Sequence, residues 1–199
     1  MTRCAQVTFS LLFMFGAVAW GFSQEVHPIH SSEYYPLAKG NIWKYQVSTA
    51  SNVKKSTIEW RVIRADKSKN GIIYQVWPTP SDGDDEAMML HLSPLGLEEI
   101  SFGVLIPKSP ITVGEKWTSV KPTHRTFRVL SVGQPCHVGG IASEDCLTVE
   151  DEDDAVSFRT VTTYAKGVGP IRYEYYKKNT KAEHPIQTVE LLSYHLDTQ

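Results

Sequence analysis

Apolar and polar residues alternate with period two along most of this chain. Trp43, Tyr45 and Val47 interleave with Lys44, Gln46 and Ser48, and Ile58, Trp60 and Val62 with Thr57, Glu59 and Arg61. After an Asn70-Gly71 turn signal the pattern resumes as Ile72, Tyr74 and Val76. It continues as Met88, Leu90 and Leu92 up to a break at Pro94-Leu95-Gly96. In the second half Phe127 and Val129 oppose Thr126 and Arg128, and Phe158 leads a Thr-rich run through Thr160, Thr162 and Tyr164. Ile171, Tyr173 and Tyr175 alternate with Arg172, Glu174 and Tyr176, and Val189 and Leu191 mark a closing strand. Side chains on a strand point to its two faces in turn, so this alternation predicts half-buried antiparallel strands with one wet face. No long window carries the i, i+3, i+4, i+7 stripe of an amphipathic helix. The expectation is one all-β domain over residues 34–199. About ten antiparallel strands would form a curved sheet closing towards a barrel or a two-sheet sandwich.

Two segments interrupt the pattern. Pro78 to Glu86 is polar and acidic, and Phe102 to Pro110 is apolar and Pro-bounded, with Val104, Leu105 and Ile106 at its centre. The second segment reads as a crossover, or as a flap over an apolar opening. It is also where the domain would divide if it consists of two β-lobes. A repeated phrase supports such a doubling. Pro36, Gly40 and Trp43 return as Pro110, Gly114 and Trp117, each 74 positions on (110−36, 114−40, 117−43). Proline fixes φ, glycine permits φ > 0, and tryptophan brings a large anchor to the first inward position of a strand. Both glycines are therefore expected in turns intolerant of a β-carbon, with Trp43 and Trp117 buried just beyond.

The first 23 residues read as an export signal. Arg3 precedes an uncharged run from Val7 to Trp20, and small residues at Ala17-Val18-Ala19 or Gly21-Phe22-Ser23 offer cleavage sites. Residues 24–33 read as an unstructured lead. The mature chain keeps Cys136 and Cys146, an even pair that reads as one disulfide in an oxidising compartment. If Gly139-Gly140 forms a two-residue hairpin turn, Cys136 faces Ser143 instead. The bridge then needs a longer, irregular loop. With 20 basic and 22 acidic side chains the chain has no field that would attract nucleic acid or an anionic membrane.

Local phrases that carry chemistry are sparse. His27 and His30 lie in the lead and lack a third ligand, and His91, His124, His137, His184 and His195 are scattered, so no metal site is expected. The acidic runs 82–86 and 150–154 fit no calcium loop of alternating ligands and read as solvated hairpin turns. Gly167-Val168-Gly169 precedes Pro170 and a strand, so it reads as a tight turn and not as a phosphate cradle. No G-x-S-x-G elbow is present, no catalytic residue is expected, and no cofactor is implied. The aromatic residues Trp43, Tyr45, Trp60 and Tyr74 are the candidate ligand-binding group. They serve equally as the core of a sandwich or the lining of a barrel that holds a lipid or other apolar molecule.

Tyr35-Pro36-Leu37-x-x-Gly40-x-x-Trp43-x-Tyr45 and Tyr164-Ala165-x-Gly167-Val168-Gly169, with Gly140-x-x-x-x-Asp145-Cys146 between them, resemble a loose group of bacterial secreted or envelope-anchored β-domains. The resemblance covers most of the mature chain and implies a periplasmic or secreted location. It brings no activity and no catalytic residue. This chain departs from the group by adding Cys136 and by lacking a lipidated cysteine. Three functional readings stand: a non-enzymatic module that docks an envelope protein, a carrier of an apolar ligand reached near Val104–Ile106, and a hydrolase whose site is assembled from distant residues such as His91 or His124.

Overall fold

The computed structural model describes residues 31–79, 87–101, 103–107, 110–119, 124–178 and 184–197. After one helical turn, α1 (Ser31–Tyr34), the first half of the chain forms β1 (Ile42–Thr49), β2 (Asn52–Ser68), β3 (Gly71–Thr79), β4 (Met88–Ser93), β5 (Gly96–Glu99) and β6 (Gly103–Pro107). The second half forms β7 (Lys116–Ser119), β8 (Arg125–Val138), β9 (Ile141–Asp153), β10 (Phe158–Ala165), β11 (Gly169–Lys177) and β12 (Gln187–His195). Twelve strands agree with the expected count of about ten; Gly96–Glu99, just past the break at Pro94-Leu95-Gly96, and Gly103–Pro107, within the segment read as a crossover or flap, are short strands. The signal segment, most of the expected lead and the 82–86 acidic run lie outside the described residues. Residues 31–33, assigned to that lead, belong to α1, which is held because Tyr34 and Tyr35 are buried at 1% and 2% exposure.

All twelve strands form one sheet in the order β6-β5-β4-β3-β2-β1-β12-β11-β10-β9-β8-β7. Two six-stranded meanders therefore lie head to tail, and β1 of the first pairs antiparallel with β12 of the second. The two remaining ends, β6 and β7, meet where the Trp117 indole N–H donates to the Val104 carbonyl at 2.7 Å. The result is a nearly closed barrel, which shields most of the edge groups that an open sheet would expose. Inward positions are those the alternation indicated: Trp43, Tyr45, Leu90, Ile171 and Leu191 are fully buried. Burying roughly 200 Å² of an indole at about 25 cal/mol/Å² contributes about 5 kcal/mol before entropy is charged. Trp43 keeps its one polar atom satisfied by donating from Nε1 to Val168 O at 2.7 Å.

The repeated phrase builds the same device twice. Gly40 N–H donates to Val62 O, Val62 N–H to Asn41 O, and Asn41 N–H to Ala38 O. In the second copy Gly114 N–H donates to Val129 O, Val129 N–H to Glu115 O, and Glu115 N–H to Thr112 O. All six bonds are 2.9–3.1 Å long. Both glycines have left-handed backbones, with φ of +97° and +86°. The register repeats too, with Trp43 opposite Trp60 and Trp117 opposite Phe127. The copies differ in burial: Trp43 is enclosed, whereas Trp117 is only half-buried because it stands at the β6/β7 end of the sheet.

The disulfide Cys136–Cys146 is formed, with the Cα atoms 6.1 Å apart. No irregular loop is needed. Gly139-Gly140 makes a tight turn and Cys136 does face Ser143. Register shifts between Val132 and Gln134 and between Gln134 and Cys136 place Cys146 opposite Gln134, diagonal to Cys136 and within bridging reach. The irregularity is in the strand and not in the loop.

Candidate functional site

The barrel interior holds a half-open cavity of about 280 Å³. Its aromatic wall comes from β8, β10 and β11 and from β2: Phe127, Phe158, Tyr164, Tyr173, Tyr175 and Trp60. Four of these rings brace each other edge to face, while Phe127 stacks in parallel on Trp117. Trp60 and Tyr173 have centroids 5.3 Å apart at 62°, and Phe158 and Tyr175 are 5.6 Å apart at 74°. Such contacts fix the lining in place.

Charge enters this wall at three positions, Glu99 at the end of β5, Arg125 at the start of β8 and Asp151 near the end of β9. Arg125 Nε lies 3.3 Å from Asp151 Oδ1 and 3.8 Å from Asp153 Oδ2. Asp153 is 5% exposed and Glu99 4%. Burial pushes the Asp151 carboxyl up to about 6; Arg125 pulls it back, Asp153 and Glu150 add to the rise, and Lys178 opposes it. Burial likewise raises Tyr164 and Tyr175, and the Asp151 carboxylate raises both further. Tyr35 also lines the cavity, and its buried hydroxyl has no hydrogen-bond partner, although the residue is 2% exposed. A buried hydroxyl in that state costs on the order of 1–3 kcal/mol, which a bound polar group would offset.

The sequence reading put the 150–154 run in a solvated turn, and the structure corrects this. Glu150 to Asp153 lie in β9, and only Asp154 reaches the turn. Leu147, Val149, Asp151 and Asp153 share the inward phase, as do Arg125, Phe127 and Val129 on β8. Extending the period-two pattern through the charged residues was the available signal. Glu150 faces the other way and accepts hydrogen bonds from Arg128 Nε at 3.0 Å and Arg159 Nη1 at 2.8 Å.

Of the four candidate ligand-binding aromatics, Trp60 lines the cavity. Trp43 and Tyr45 are core residues with satisfied polar atoms, the Tyr45 hydroxyl donating to Pro170 O at 2.9 Å. Tyr74 lines a separate hollow beside Leu37, Leu92 and Leu196. Among the described residues no group of three or more His, Cys, Asp or Glu is placed to hold a metal ion. His27 and His30 lie outside the described residues, while His124, His137 and His184 are exposed. His91 is engaged: Nε2 is 3.2 Å from Ser68 Oγ and Nδ1 is 3.1 Å from Glu98 Oε2. None of these three side chains lines the cavity. The contact spans β2, β4 and β5 over β3, and it has room because a β-carbon on Gly71 would stand 3.2 Å from His91 Nε2. No helix among the described residues is long and apolar enough to cross a membrane.

No family model and no curated protein matches the sequence. Solved structures do match the fold. A protein of Bacteroides fragilis NCTC 9343, described as a "putative exported protein with YmcC-like fold", superposes with a TM-score of 0.51 at 13% identity, over 80% of this chain and 97% of that one. A "putative lipoprotein" of Parabacteroides distasonis ATCC 8503 gives a TM-score of 0.46 at 11% identity, over 81% of this chain and 98% of that one. The first likeness supports the same barrel architecture and extends no further than the fold.

Proposed function

We propose that this protein is a non-enzymatic, extracytoplasmic binding protein of the bacterial envelope that holds a small molecule inside its barrel. The observation that carries the reading is the cavity, where a wall of mutually braced rings surrounds buried charged groups and a partnerless hydroxyl. The Arg125–Asp151 ion pair stands in this wall, and desolvating an ion pair costs several kcal/mol before the attraction between its members is counted, so the wall is more than an apolar core. The location rests on the export-signal pattern at the N-terminus and on the resemblance of the Pro36–Tyr45 and Tyr164–Gly169 phrases to secreted β-domains. No catalytic residue is assigned. The Ser68–His91–Glu98 contact is read as a strut across β3.

A second reading, docking of an envelope protein, draws on the outward face of β12, where Leu192 and Tyr194 are 48% and 44% exposed. Native mass spectrometry of the protein purified from its own envelope separates the two. A co-purifying small molecule supports the binding protein, and a stoichiometric protein partner on a ligand-free barrel would replace it with the docking module.

A further inference from the structure

We propose that the seam between β6 and β7 is the door of the cavity and that the Trp117 indole is its latch. The inference rests on the reading of the cavity as a ligand site and adds the route by which a ligand enters. Every other neighbouring pair of strands is joined by a backbone ladder, which parts only when several hydrogen bonds break together. β6 and β7 are the two ends of the sheet and share no ladder. Side chains close the gap instead. The Trp117 N–H donates to Val104 O at 2.7 Å, and its ring lies flat on Phe127, with centroids 5.3 Å apart and planes at 3°. Gly103 brings the edges together beside this bond, since a β-carbon there would stand 2.0 Å from Ser119 Oγ and 2.6 Å from Ser119 Cβ.

The cavity wall reaches the seam from both sides. Leu105, next to Val104 on β6, lines the cavity, and so does Phe127, opposite Trp117 on β8. Trp117 is not among the lining residues, so it holds the wall without belonging to the binding surface. β5 and β6 are four and five residues long, and β5 joins this hairpin to β4 through one short ladder. Such an element opens at a lower cost than the long β8–β9 pair, of 14 and 13 residues. Parting the seam moves Leu105 away from Phe127 and widens the half-open cavity sideways.

The test is the exchange of a small neutral fluorophore, prodan, followed by stopped flow. A door changes both rates and leaves the affinity alone, because entering and leaving molecules pass through the same opening. Trp117→Phe keeps a ring to stack on Phe127 and removes the hydrogen bond to Val104. Association and dissociation should each quicken roughly fivefold, the worth of one neutral hydrogen bond, with Kd held within about twofold. Gly103→Ala, whose β-carbon pushes the edges apart, should quicken both rates as well, and it serves if the first variant fails to fold. In the ligand-free parent the ladder-bonded amides of β5 and β6 should exchange before those of β8 and β9. Unchanged rates in both variants, a change in Kd carried by dissociation alone, or β6 amides that exchange only together with β9 would overturn the door. Failure of prodan to bind the parent would remove the ligand-site reading, while amide exchange would still decide whether the seam opens.

Discussion

Replacing Asp151 by Asn tests whether a carboxylate lies inside the barrel. The groups that face it come from every surrounding element: Arg125 on β8, Glu150 and Asp153 on β9, Tyr164 on β10, Tyr175 on β11, and Lys178 just beyond β11. Burial is the largest influence and lifts the carboxyl from 3.8 to about 6 in the folded protein. Between these values the folded state binds more protons than the unfolded chain, so this group's contribution to stability falls as pH rises. The loss is complete above about pH 6. A shift of about two units corresponds to about 3 kcal/mol in full, of which roughly 2 kcal/mol falls between about pH 4 and pH 7. Asparagine has no such dependence. Urea unfolding of both proteins at the two pH values should therefore show the variant gaining roughly 2 kcal/mol relative to the parent as pH rises. For a domain of this size that is about 4–8 °C in melting temperature. A stability difference that is the same at both pH values would show that Asp151 is solvated and would refute the buried-charge description.

Four further variants test the frame around the cavity. Gly114→Ala places a β-carbon at φ +86° with nothing within 4 Å, so its cost is conformational and should be about 1–2 kcal/mol by urea denaturation. Gly40→Ala should cost a similar amount, since the atom it meets, Asp197 Oδ2, belongs to a half-exposed side chain that can swing aside; parental stability in both variants would deny the repeated turn its structural role. Trp117→Phe removes the indole bond to Val104 and should cost about 1 kcal/mol, with amide exchange accelerating in β6 before β3. Serine at both Cys136 and Cys146 should cost about 2–3 kcal/mol, and denatured, unreduced parent should titrate no thiol from this pair.

The barrel was legible in the sequence because closure demands what alternation records, one apolar face turned inward on every strand. The turn phrase at Pro36–Trp43 and Pro110–Trp117 was legible because its left-handed positions, Gly40 and Gly114, favour glycine. The interior charges were not, because a run such as Glu150-Asp151-Glu152-Asp153-Asp154 has the composition of a solvated turn. Only its phase with Leu147 and Val149 places two of its members inside. Burial of Tyr35 and its partnerless hydroxyl depends on packing against Trp43, their ring centroids 5.2 Å apart, which no local pattern encodes. The Ser68–His91–Glu98 contact joins three strands across a glycine and likewise leaves no mark in any one segment. The disulfide was legible as a pair, while its route past a tight turn depended on strand bulges that sequence does not announce.

The central claim is that the barrel interior is a ligand site. A crystal structure of protein recovered from its native envelope, without unfolding, tests it most directly. Ordered non-protein density should fill the cavity, with its apolar body against Trp60 and Tyr173 and a polar end near Asp151 and the Tyr35 hydroxyl. Side chains closed over the space, or ordered water alone bridging Asp151 and Tyr35, would contradict the account.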